Sequence, residues 1–424
     1  MSSAPPKIIV PKTISLGCRL NIAEGGRIDA LLGDARVQVV NSCGVTQSAV
    51  KSSRAAVRSA HKANPDVPIV VTGCAAQITP GDFAHLPGVA RIIGNGDKFD
   101  AAAYAAITPG QSAQMRVNDV MTVARTAPQM LPSFDSHTRA FMEVQNGCDH
   151  RCTFCIIPYG RGPSRSVPLA QVVENARALT ASGFGELVLT GVDTTSYGAD
   201  LPGAPRLSDL ITAILDGAPM LRRLRIGSID VAEIDDALFA LLTQEDRMMG
   251  HVHLSLQAGD DLILKRMKRR HSRADAVAMA DRLMTARPDI AIGADLIAGF
   301  PTEDDAAAAR TRALIGDCHI RFAHIFPYSA RSGTPAARMP QVSTPVIKAR
   351  AAALRAVAGA AQQKWLQSLV GSHQSLLVER DGISGHVGNF ARTRLDDDAA
   401  PAGEILPIII LGLDGDGLIG KRAA

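Results

Sequence analysis

The sequence has no apolar run long enough to cross a membrane and no secretion signal at its start. A membrane helix needs about 18 uninterrupted apolar residues, and the N-terminus MSSAPPKIIVPKT lacks the order of a charged segment followed by an apolar one. We therefore expect a cytoplasmic protein with no membrane partner. With 424 residues, of which 46% are hydrophobic and 20% charged, the composition excludes a disordered chain and allows two or three domains with cores.

Cysteine is also scarce. Seven cysteines are too few for a disulfide scaffold in a chain of this length, and a reducing cytoplasm disfavours disulfides. Six of the seven nevertheless fall into two groups of three, which indicates metal binding. Cys318, in IGDCHIRF, stands apart from both groups, and we expect it to pack in a core as a small apolar side chain.

The excess of positive charge is small. A net charge of +4 leans toward a polyanionic partner, although such a value is common among enzymes that bind no nucleic acid. One segment concentrates the charge: residues 264–273, LKRMKRRHSR, contain six Lys or Arg. This basic run is either a solvated helix end or a surface for a polyanion.

The first hundred residues alternate strand-like and helix-like segments. Apolar ARVQVVNSCGVT and VPIVVTGC flank the helical pattern SAVKSSRAAVRSAHKAN, an order that predicts a small parallel α/β domain. Residues 105–136 lose this periodicity and gain Pro, Ser and Gln, which predicts a connector or an extended arm.

From residue 137 to about 365, six β-type segments alternate with amphipathic helices. The six segments are RAFMEVQN, ELVLTG, RRLRIGS, VHLSLQ, IAIGADLIAGFP and RFAHIFPYS. Their alternation with helices predicts a parallel barrel or partial barrel with its chemistry at the carboxyl ends of the strands. The tail that follows has short strands separated by glycine and predicts a small all-β module.

One group of cysteines follows the strands of the first domain. Cys18, Cys43 and Cys74 each end or follow an apolar run, in SLGC, VNSCG and VTGC. Ligands gather at the carboxyl ends of strands in an open α/β sheet, which favours a binding role. Simple packing of three buried thiols in a core is the alternative.

The other group has the spacing C-x3-C-x2-C. Cys148, Cys152 and Cys155 lie in NGCDHRCTFCIIPYGRG, with no nearby fourth thiol or histidine pair of the kind that zinc sites usually use. Three thiolates suit a [4Fe–4S] cluster whose fourth iron stays open for a substrate. His150 lies inside the run, and we interpret it as a loop residue rather than a ligand.

Seven segments, in order along the chain, resemble the methylthiotransferase family of the radical-SAM superfamily: GCRLN, VVNSCGVT, VTGCAAQ, NGCDHRCTFCIIPYGRG, HLSLQAGDD, ADLIAGFPTED and FPYSARSGTPAA. The resemblance covers essentially the whole chain. It implies an N-terminal methylthiotransferase domain over 8–120, a radical-SAM core built as a partial (βα)6 barrel over 134–365, and a TRAM-like RNA-binding barrel over 366–424. The last region matches loosely and ends in LGLDGDGLIGKRAA.

The resemblance also implies two [4Fe–4S] clusters and S-adenosylmethionine as cofactors. In the superfamily, the open iron binds S-adenosylmethionine, whose reductive cleavage yields a 5′-deoxyadenosyl radical. Cys148, Cys152 and Cys155 would hold that cluster, and the three N-terminal cysteines would hold a second cluster that presents sulfur. The reaction implied by the resemblance breaks a C–H bond of an aromatic ring, which acid–base chemistry does not activate. We therefore expect no catalytic side chain beyond the cluster ligands.

The substrate implied by the resemblance is tRNA. The flanks LVLTGVDTTSYG and CTFCIIPYGRGPSRSVP most resemble the branch that methylthiolates C2 of N6-threonylcarbamoyladenosine at position 37, with two S-adenosylmethionine molecules per product. Isopentenyladenosine-37 of tRNA and a ribosomal-protein aspartate are the alternatives within the family. An electron donor such as a flavodoxin or ferredoxin is expected, and the sulfur donor stays open.

Candidate contacts with S-adenosylmethionine lie at predicted strand ends or beside the cluster. They are Phe154, Thr190, Gly191, Ser228, Gln257 and Asp295. Each has an alternative role as an ordinary turn, cap or core residue. Candidate tRNA contacts, which would position phosphates without reading the base sequence, are Arg161, Arg165, Arg266, Lys268, Arg269 and Arg270.

Two functions of another class also explain part of the pattern. An iron–sulfur electron-transfer protein would account for six cysteines but not for a six-stranded core or the segment FPYSARSGTPAA. A zinc-stabilised RNA-binding module would account for the basic run and the β tail, but neither group of cysteines supplies four ligands.

Overall fold

The computed structural model describes residues 12–123 and 137–423. The described residues form two compact units, one made of 12–123 and 157–162 and the other of 137–156 and 163–423. The short segment 157–162 directly follows the C-x3-C-x2-C group, yet it folds with the first unit. The three predicted domains, 8–120, 134–365 and 366–424, therefore stay a prediction.

The first unit is an α/β layer around a five-stranded, all-parallel sheet with the order β1-β2-β3-β4-β5. Its strands are β1 (Thr13–Ser15), β2 (Gln38–Ser42), β3 (Ile69–Gly73), β4 (Val89–Ile93) and β5 (Gln114–Arg116). Its helices are α1 (Arg19–Leu32), α2 (Gln47–Ala63), α3 (Cys74–Ile78), α4 (Gly81–Ala84) and α5 (Ile157–Arg161), with 3-10 turns at Ala101–Tyr104 and Val120–Thr122. The predicted small parallel α/β domain is confirmed.

Alternation along the central strands explains the two faces of this sheet. Val39 of β2 packs with Ile28 of α1 in one buried cluster, while its neighbour Val40 packs with Val57 of α2 in another. Thr46 begins α2 as its N-cap, because its hydroxyl accepts the N–H of Ala49 at 3.0 Å.

The predicted connector over 105–136 is wrong in part. Residues 114–116 form the edge strand β5, which pairs in parallel with β4. Three residues on a sheet edge are too few to show a period, so the sequence pattern could not reveal them. Residues 124–136 lie outside the described residues.

The second unit contains the predicted six parallel strands. Its strands are β6 (Ala140–Glu143), β7 (Gln145–Asn146), β8 (Arg165–Ser166), β9 (Glu186–Thr190), β10 (Arg223–Ile226), β11 (Ser228–Ile229), β12 (His251–Gln257), β13 (Ala291–Ala298) and β14 (Ile320–Pro327). Its helices are α6 (Leu169–Ala181), α7 (Leu207–Gly217), α8 (Asp236–Gln244), α9 (Asp261–Met267), α10 (Arg273–Ala286), α11 (Asp305–Asp317) and α12 (Thr344–Ser368), with 3-10 turns at Thr194–Ser196, Val231–Glu233 and Pro335–Arg338.

These strands follow one another as β6-β9-β10 and β11-β12-β13-β14, all parallel. A parallel bridge joins Leu224 of β10 to Met248, three residues before β12, and the six predicted strands together form the partial barrel that the sequence predicts. Because the strands run in one direction, the loops after β6, β9, β10, β12 and β13 emerge at one edge.

The tail forms the predicted small all-β module. Five strands close into a barrel in the order β15-β16-β17-β19-β18: β15 (His373–Val378), β16 (Ser384–Val387), β17 (Arg392–Leu395), β18 (Ile405–Asp414) and β19 (Gly417–Arg422). Leu376, Val387, Ile408 and Leu418 fill the barrel, and Trp365 at the end of α12 packs against them.

Buried arginines on β10 join this barrel to the parallel strands of the same unit. Arg225 donates to the carbonyls of Gly388 and Val387, both at 2.9 Å, and its Nε lies 2.8 Å from Oε1 of the buried Glu186. A second contact involves Glu379, which accepts from the Thr138 hydroxyl at 2.7 Å and from Arg139 at 2.8 Å.

No helix within the described residues is long and apolar enough to cross a membrane.

Candidate functional site

The C-x3-C-x2-C group lies in the loop after β7, at the carboxyl edge of the parallel strands. Cys148, Cys152 and Cys155 are all partly exposed, and none of the seven cysteines, all of which are described, forms a disulfide. The N–H of Cys155 donates to the carbonyl of Cys152 at 3.0 Å, which tightens the C-x2-C turn. Burial and the charge of Asp193 raise the pKa of Cys148.

Thr153 attaches this loop to the rest of its unit. Its N–H donates to the carbonyl of Met267 at 3.1 Å, its hydroxyl donates to the carbonyl of Arg266 at 2.8 Å, and its carbonyl accepts the N–H of Ala336 at 2.9 Å. Phe154 packs edge-on to Phe300 with ring centroids 6.4 Å apart. The predicted cofactor contact Phe154 therefore also has a clear packing role.

A charged cluster surrounds the same cysteines. Nε2 of His150 lies 3.0 Å from Asp193 Oδ2 and 3.7 Å from Glu233 Oε1, and Arg270 lies 2.7 Å from Glu233. The Cys148 thiol donates to the same Asp193 oxygen at 3.7 Å. Hydrogen bonds to Asp193 and Glu233 raise the pKa of His150 to about 10, and the same Nε2 lies 2.9 Å from a guanidinium nitrogen of Arg270.

Thr190, Gly191, Ser228 and Gln257 lie at or next to strand ends, as predicted. A Cβ on Gly191 would lie 2.8 Å from a methyl of Thr194 and 3.0 Å from the carbonyl oxygen of Gln145, so this position has no room for a side chain. Thr190 is buried and Ser228 is exposed. Gln257 has φ +70°, a left-handed conformation that is uncommon and strained for a non-glycine residue.

Asp295 does not lie at a strand end, which corrects the prediction of its position. It lies inside β13, where Oδ1 is 3.0 Å from His253 Nε2 on β12 and 3.2 Å from His324 Nδ1 on β14. Side chains two residues apart share a face of a strand, and the register pairs His253 with Gly293 and Asp295 with His324. The sequence pattern marks strand ends only by their glycines, and Gly299, the glycine that directly follows β13, comes four residues after Asp295.

Most of the predicted tRNA contacts are engaged inside the protein. Arg161 is 2% exposed and donates to Glu24 and Asn21. Arg165 is buried and donates to the Pro163 carbonyl at 2.6 Å. This placement argues against phosphate contacts by either guanidinium.

The basic run divides in the same way. Arg266 donates to Oγ1 of Thr302 at 2.7 Å. Arg269 donates to Asp230 at 2.8 Å and lies with one nitrogen 3.7 Å from the Cys152 sulfur. Lys268, in the left-handed conformation that ends α9, is exposed, as is Arg270.

The N-terminal cysteines occupy the corresponding edge of the first unit. Cys18 is the N-cap residue of α1, Cys43 follows β2, and Cys74 begins α3 directly after β3. Gly17, with φ +93°, lies so close to Cys43 that a Cβ would be 2.6 Å from its sulfur. Cys18 is exposed and the other two are buried, and burial raises the pKa of Cys43 to about 11.

The spacing of the sulfurs fits a cluster better than a single ion. Zinc bound to sulfur at about 2.3 Å needs ligand atoms within roughly 4 Å of one another. Two sets of three ligand-type side chains in the described residues have all donor atoms within 4.8 Å, and neither contains a cysteine. These sets are His150 with Asp193 and Glu233, and His253 with Asp295 and His324. Because neither cysteine triplet is among these sets, the three sulfurs of a triplet are not gathered around one point as a single zinc ion requires, whereas the cysteine ligands of a four-iron cluster bind different irons.

Cys318 is fully buried after α11, as expected for a packing residue. Sequence reasoning missed Asp193, Glu233 and Gln145. The side-chain oxygen of Gln145 accepts the backbone N–H groups of Val192 and Asp193 at 3.0 and 2.8 Å, which holds the loop after β9. Asp193 follows an apolar strand by three residues, and that position was the available signal.

Comparison with known proteins identifies the family. Residues 142–315 match the model of the radical SAM superfamily, and residues 12–94 match the uncharacterized protein family UPF0004. The threonylcarbamoyladenosine tRNA methylthiotransferase MtaB of Rickettsia prowazekii is 45% identical over 404 residues, which cover 95% of this chain and 94% of that protein. This chain belongs to the radical-SAM tRNA methylthiotransferase family. The predicted enzyme class, with iron–sulfur and S-adenosylmethionine cofactors, is confirmed, and the electron-transfer and zinc-module interpretations are wrong.

Other relatives of this methylthiotransferase carry two names. MtaB of Bacillus subtilis is 36% identical and covers 77% of the chain and 74% of that protein. A tRNA-2-methylthio-N(6)-dimethylallyladenosine synthase of Novosphingobium aromaticivorans is 33% identical and covers 90% of both chains. A solved radical S-adenosylmethionine methyltransferase, TsrM from Kitasatospora setae, has a TM-score of 0.53 at 17% identity over 73% of this chain and 68% of that chain. That likeness confirms the radical-SAM fold.

Proposed function

We propose that this methylthiotransferase modifies C2 of N6-threonylcarbamoyladenosine at position 37 of tRNA, using two [4Fe–4S] clusters and two S-adenosylmethionine molecules per product. The observation that carries the proposal is the 45% identity to an MtaB along nearly the whole chain, compared with 33% for the dimethylallyladenosine synthase. The presence of a cysteine triplet at the carboxyl strand edge of each unit supports the two clusters.

The two triplets would hold the clusters. Cys148, Cys152 and Cys155 would bind the cluster that supplies reductive cleavage of S-adenosylmethionine, and the three N-terminal cysteines would bind the one that supplies sulfur. The protein contributes position and charge. Arg269 places a cation beside the Cys152 sulfur, and the loop that carries the thiols is tied at Thr153.

For S-adenosylmethionine, we propose the strand-end groups at the edge that carries the Cys148 triplet. Gly191 leaves backbone accessible where a side chain would not fit, and Gln257 holds a strained backbone at the end of β12. Asp193 and Glu233 add carboxylates beside the cysteines, and carboxylates suit a ligand that carries an ammonium and a sulfonium. The network of Asp295 and its two histidines would contact a ligand that reaches further into the strands.

For tRNA, we propose that phosphate contacts come from exposed cations and not from the buried arginines. Lys268 keeps this role from the original six, because it is exposed and phosphate contacts are made at the surface. Arg270 is also exposed, but its guanidinium pairs with Glu233 at 2.7 Å, so a phosphate would have to replace that partner. The closed five-stranded barrel is the proposed RNA-binding module. We also propose a cytoplasmic location and a flavodoxin or ferredoxin as the electron donor.

The test is nucleoside mass spectrometry of tRNA from cells that lack this gene, with and without the gene restored. The proposal predicts that 2-methylthio-N6-threonylcarbamoyladenosine disappears on deletion, that its unmethylthiolated precursor accumulates, and that 2-methylthio-isopentenyladenosine does not change. Loss of the isopentenyl product alone would assign the chain to the other tRNA branch.

A further inference from the structure

A chain of buried and partly buried polar side chains connects two cysteines of the first unit. The Cys18 thiol donates to Asn21 Oδ1 at 3.7 Å, and Arg161 donates to the same oxygen at 2.6 Å. Arg161 also donates to both oxygens of Glu24, at 2.7 and 3.1 Å. The first half of the chain therefore runs from a cysteine through an amide to a buried ion pair.

The second half returns to another cysteine. Lys98 Nζ lies 2.5 Å from Glu24 Oε1 and donates to Asn95 Oδ1 at 2.8 Å. The amide nitrogen of Asn95 donates to the Cys74 sulfur at 3.8 Å and to the carbonyl of Gly160 at 2.5 Å. Asn21, Glu24, Lys98 and Arg161 are each at most 2% exposed, so solvent screens their charges little.

The charges of the ionisable groups named in this network do not sum to zero. The named groups contain two cations and one carboxylate, and the attraction of both cations holds the pKa of Glu24 well below its usual range despite its burial. Burying an uncompensated charge lowers the stability of the fold. A network that carries this cost is therefore a candidate for a functional role. The network that carries this positive charge contacts the thiols of Cys18 and Cys74, which are proposed to bind an anionic cluster.

We infer that Arg161, Glu24 and Lys98 are positioning residues that orient the ligands Cys18 and Cys74 and stabilise the reduced form of the second cluster by their net positive charge. The inference rests on the proposed assignment of that cluster to the three N-terminal cysteines. It gives Arg161 a role in place of the tRNA contact that its charge suggested.

The experiment isolates the second cluster by replacing Cys148, Cys152 and Cys155 with alanine and then measures its midpoint potential by EPR-monitored redox titration. Each one-electron reduction adds negative charge to the site, so Arg161→Gln should disfavour reduction and Glu24→Gln should favour it. We expect the ratio of reduced to oxidised cluster at a fixed potential to change at least tenfold in each case, about 59 mV for one electron, with opposite signs.

Two further variants separate charge from geometry. Arg161→Lys keeps the charge and should stay near the parental potential. Arg58→Gln removes an exposed charge from α2 of the same unit. It should leave the midpoint potential unchanged, because solvent screens the charge of Arg58.

The outcomes distinguish the two levels of the argument. Absence of iron from the isolated-cluster parent would overturn the cluster assignment itself. A cluster that is present but has the same potential in Arg161→Gln and Glu24→Gln would overturn the network inference alone, as would shifts of the same sign in both. If Arg161→Gln loses its cluster, the midpoint potential of Glu24→Gln still tests the network inference, which predicts that this potential rises.

Discussion

At the scale of single residues, arginine shows how far a charge pattern can mislead. Arg161, Arg266 and Arg269 are all candidate tRNA contacts by sequence, yet all three direct their guanidinium groups to internal acceptors. A run of charge shows that cations are present but not which way each side chain points. Because arginine offers five donors in a planar fork, it pairs with buried carboxylates as readily as with phosphate.

Cysteine was more predictable, because its spacing is specific. Replacing Cys152 with alanine should abolish 5′-deoxyadenosine formation, since this thiol is one of three that anchor the cleaving cluster in its unit. The measurement is the 5′-deoxyadenosine yield of anaerobically reconstituted protein with dithionite. A parental rate in the variant would show that the cluster assignment is wrong.

Cys318→Ala is the matched control for that experiment. This cysteine is equally a thiol but is fully buried at the end of α11 and belongs to neither triplet, so the variant should keep its iron and its 5′-deoxyadenosine yield. The variant should differ only in its free energy of unfolding, which should fall by about 1 kcal/mol because the packing of one small side chain is lost.

At the scale of elements, the strands were predictable and their pairing details were not. All six long strands of the partial barrel follow from apolar segments that alternate with helices. The edge strand β5, with three residues, left no pattern. The positive φ of Gln257 and the place of Asp295 within β13 also depend on register, which tertiary packing decides and which one sequence does not display.

Strand β15 and the turn after it carry a pH-sensitive contact. Although burial opposes ionisation, His386, Arg139 and Thr138 lower the pKa of Glu379 to about 2, from about 4.3 for an ordinary glutamate. A lowered pKa adds stability that is present above the ordinary value and is lost as the pH falls toward 2. The contact between the small barrel and the segment just before β6, at Thr138 and Arg139, should therefore weaken below about pH 4.

We expect Glu379→Gln to destabilise the metal-free protein by about 2–3 kcal/mol at pH 7, with a clearly smaller difference from the parent at pH 3. Urea unfolding monitored by fluorescence of Trp365, the single tryptophan, reports on the barrel directly, because this ring packs against its core. Glu404→Gln, at an exposed position of the same barrel, should change stability little at either pH. An equal effect of Glu379→Gln at both pH values would contradict the role given to its ionisation.

At the scale of the whole molecule, the chain has two units that each present three cysteines at a carboxyl strand edge. This arrangement predicts a division of labour, which replacement of Cys18, Cys43 and Cys74 by alanine tests. Iron per chain should fall by about half, from two four-iron clusters to one. Some S-adenosylmethionine cleavage should persist, because the other triplet is intact, while no methylthio product should form on tRNA.

Iron, 5′-deoxyadenosine and 2-methylthio-N6-threonylcarbamoyladenosine should be measured on one anaerobic preparation of that triple variant. Methylthiolation of tRNA by the variant would return the three cysteines to a packing role. Loss of all cleavage with retention of half the iron would contradict the proposed independence of the two sites.

Residues 157–162 fold with the first unit although they follow the second cysteine triplet in the chain. This has a consequence for biosynthesis. Glu24 and Lys98 are made early, but the guanidinium that completes their buried network belongs to Arg161, roughly sixty residues further along the chain. At about 5–20 residues per second on the ribosome, the nascent first unit waits several seconds with the Glu24–Lys98 pair but without the guanidinium that joins this pair to Asn21. Its folding on the ribosome therefore finishes only after the second cysteine triplet has been synthesised, and a fragment that stops at residue 123 would lack the residue that completes it.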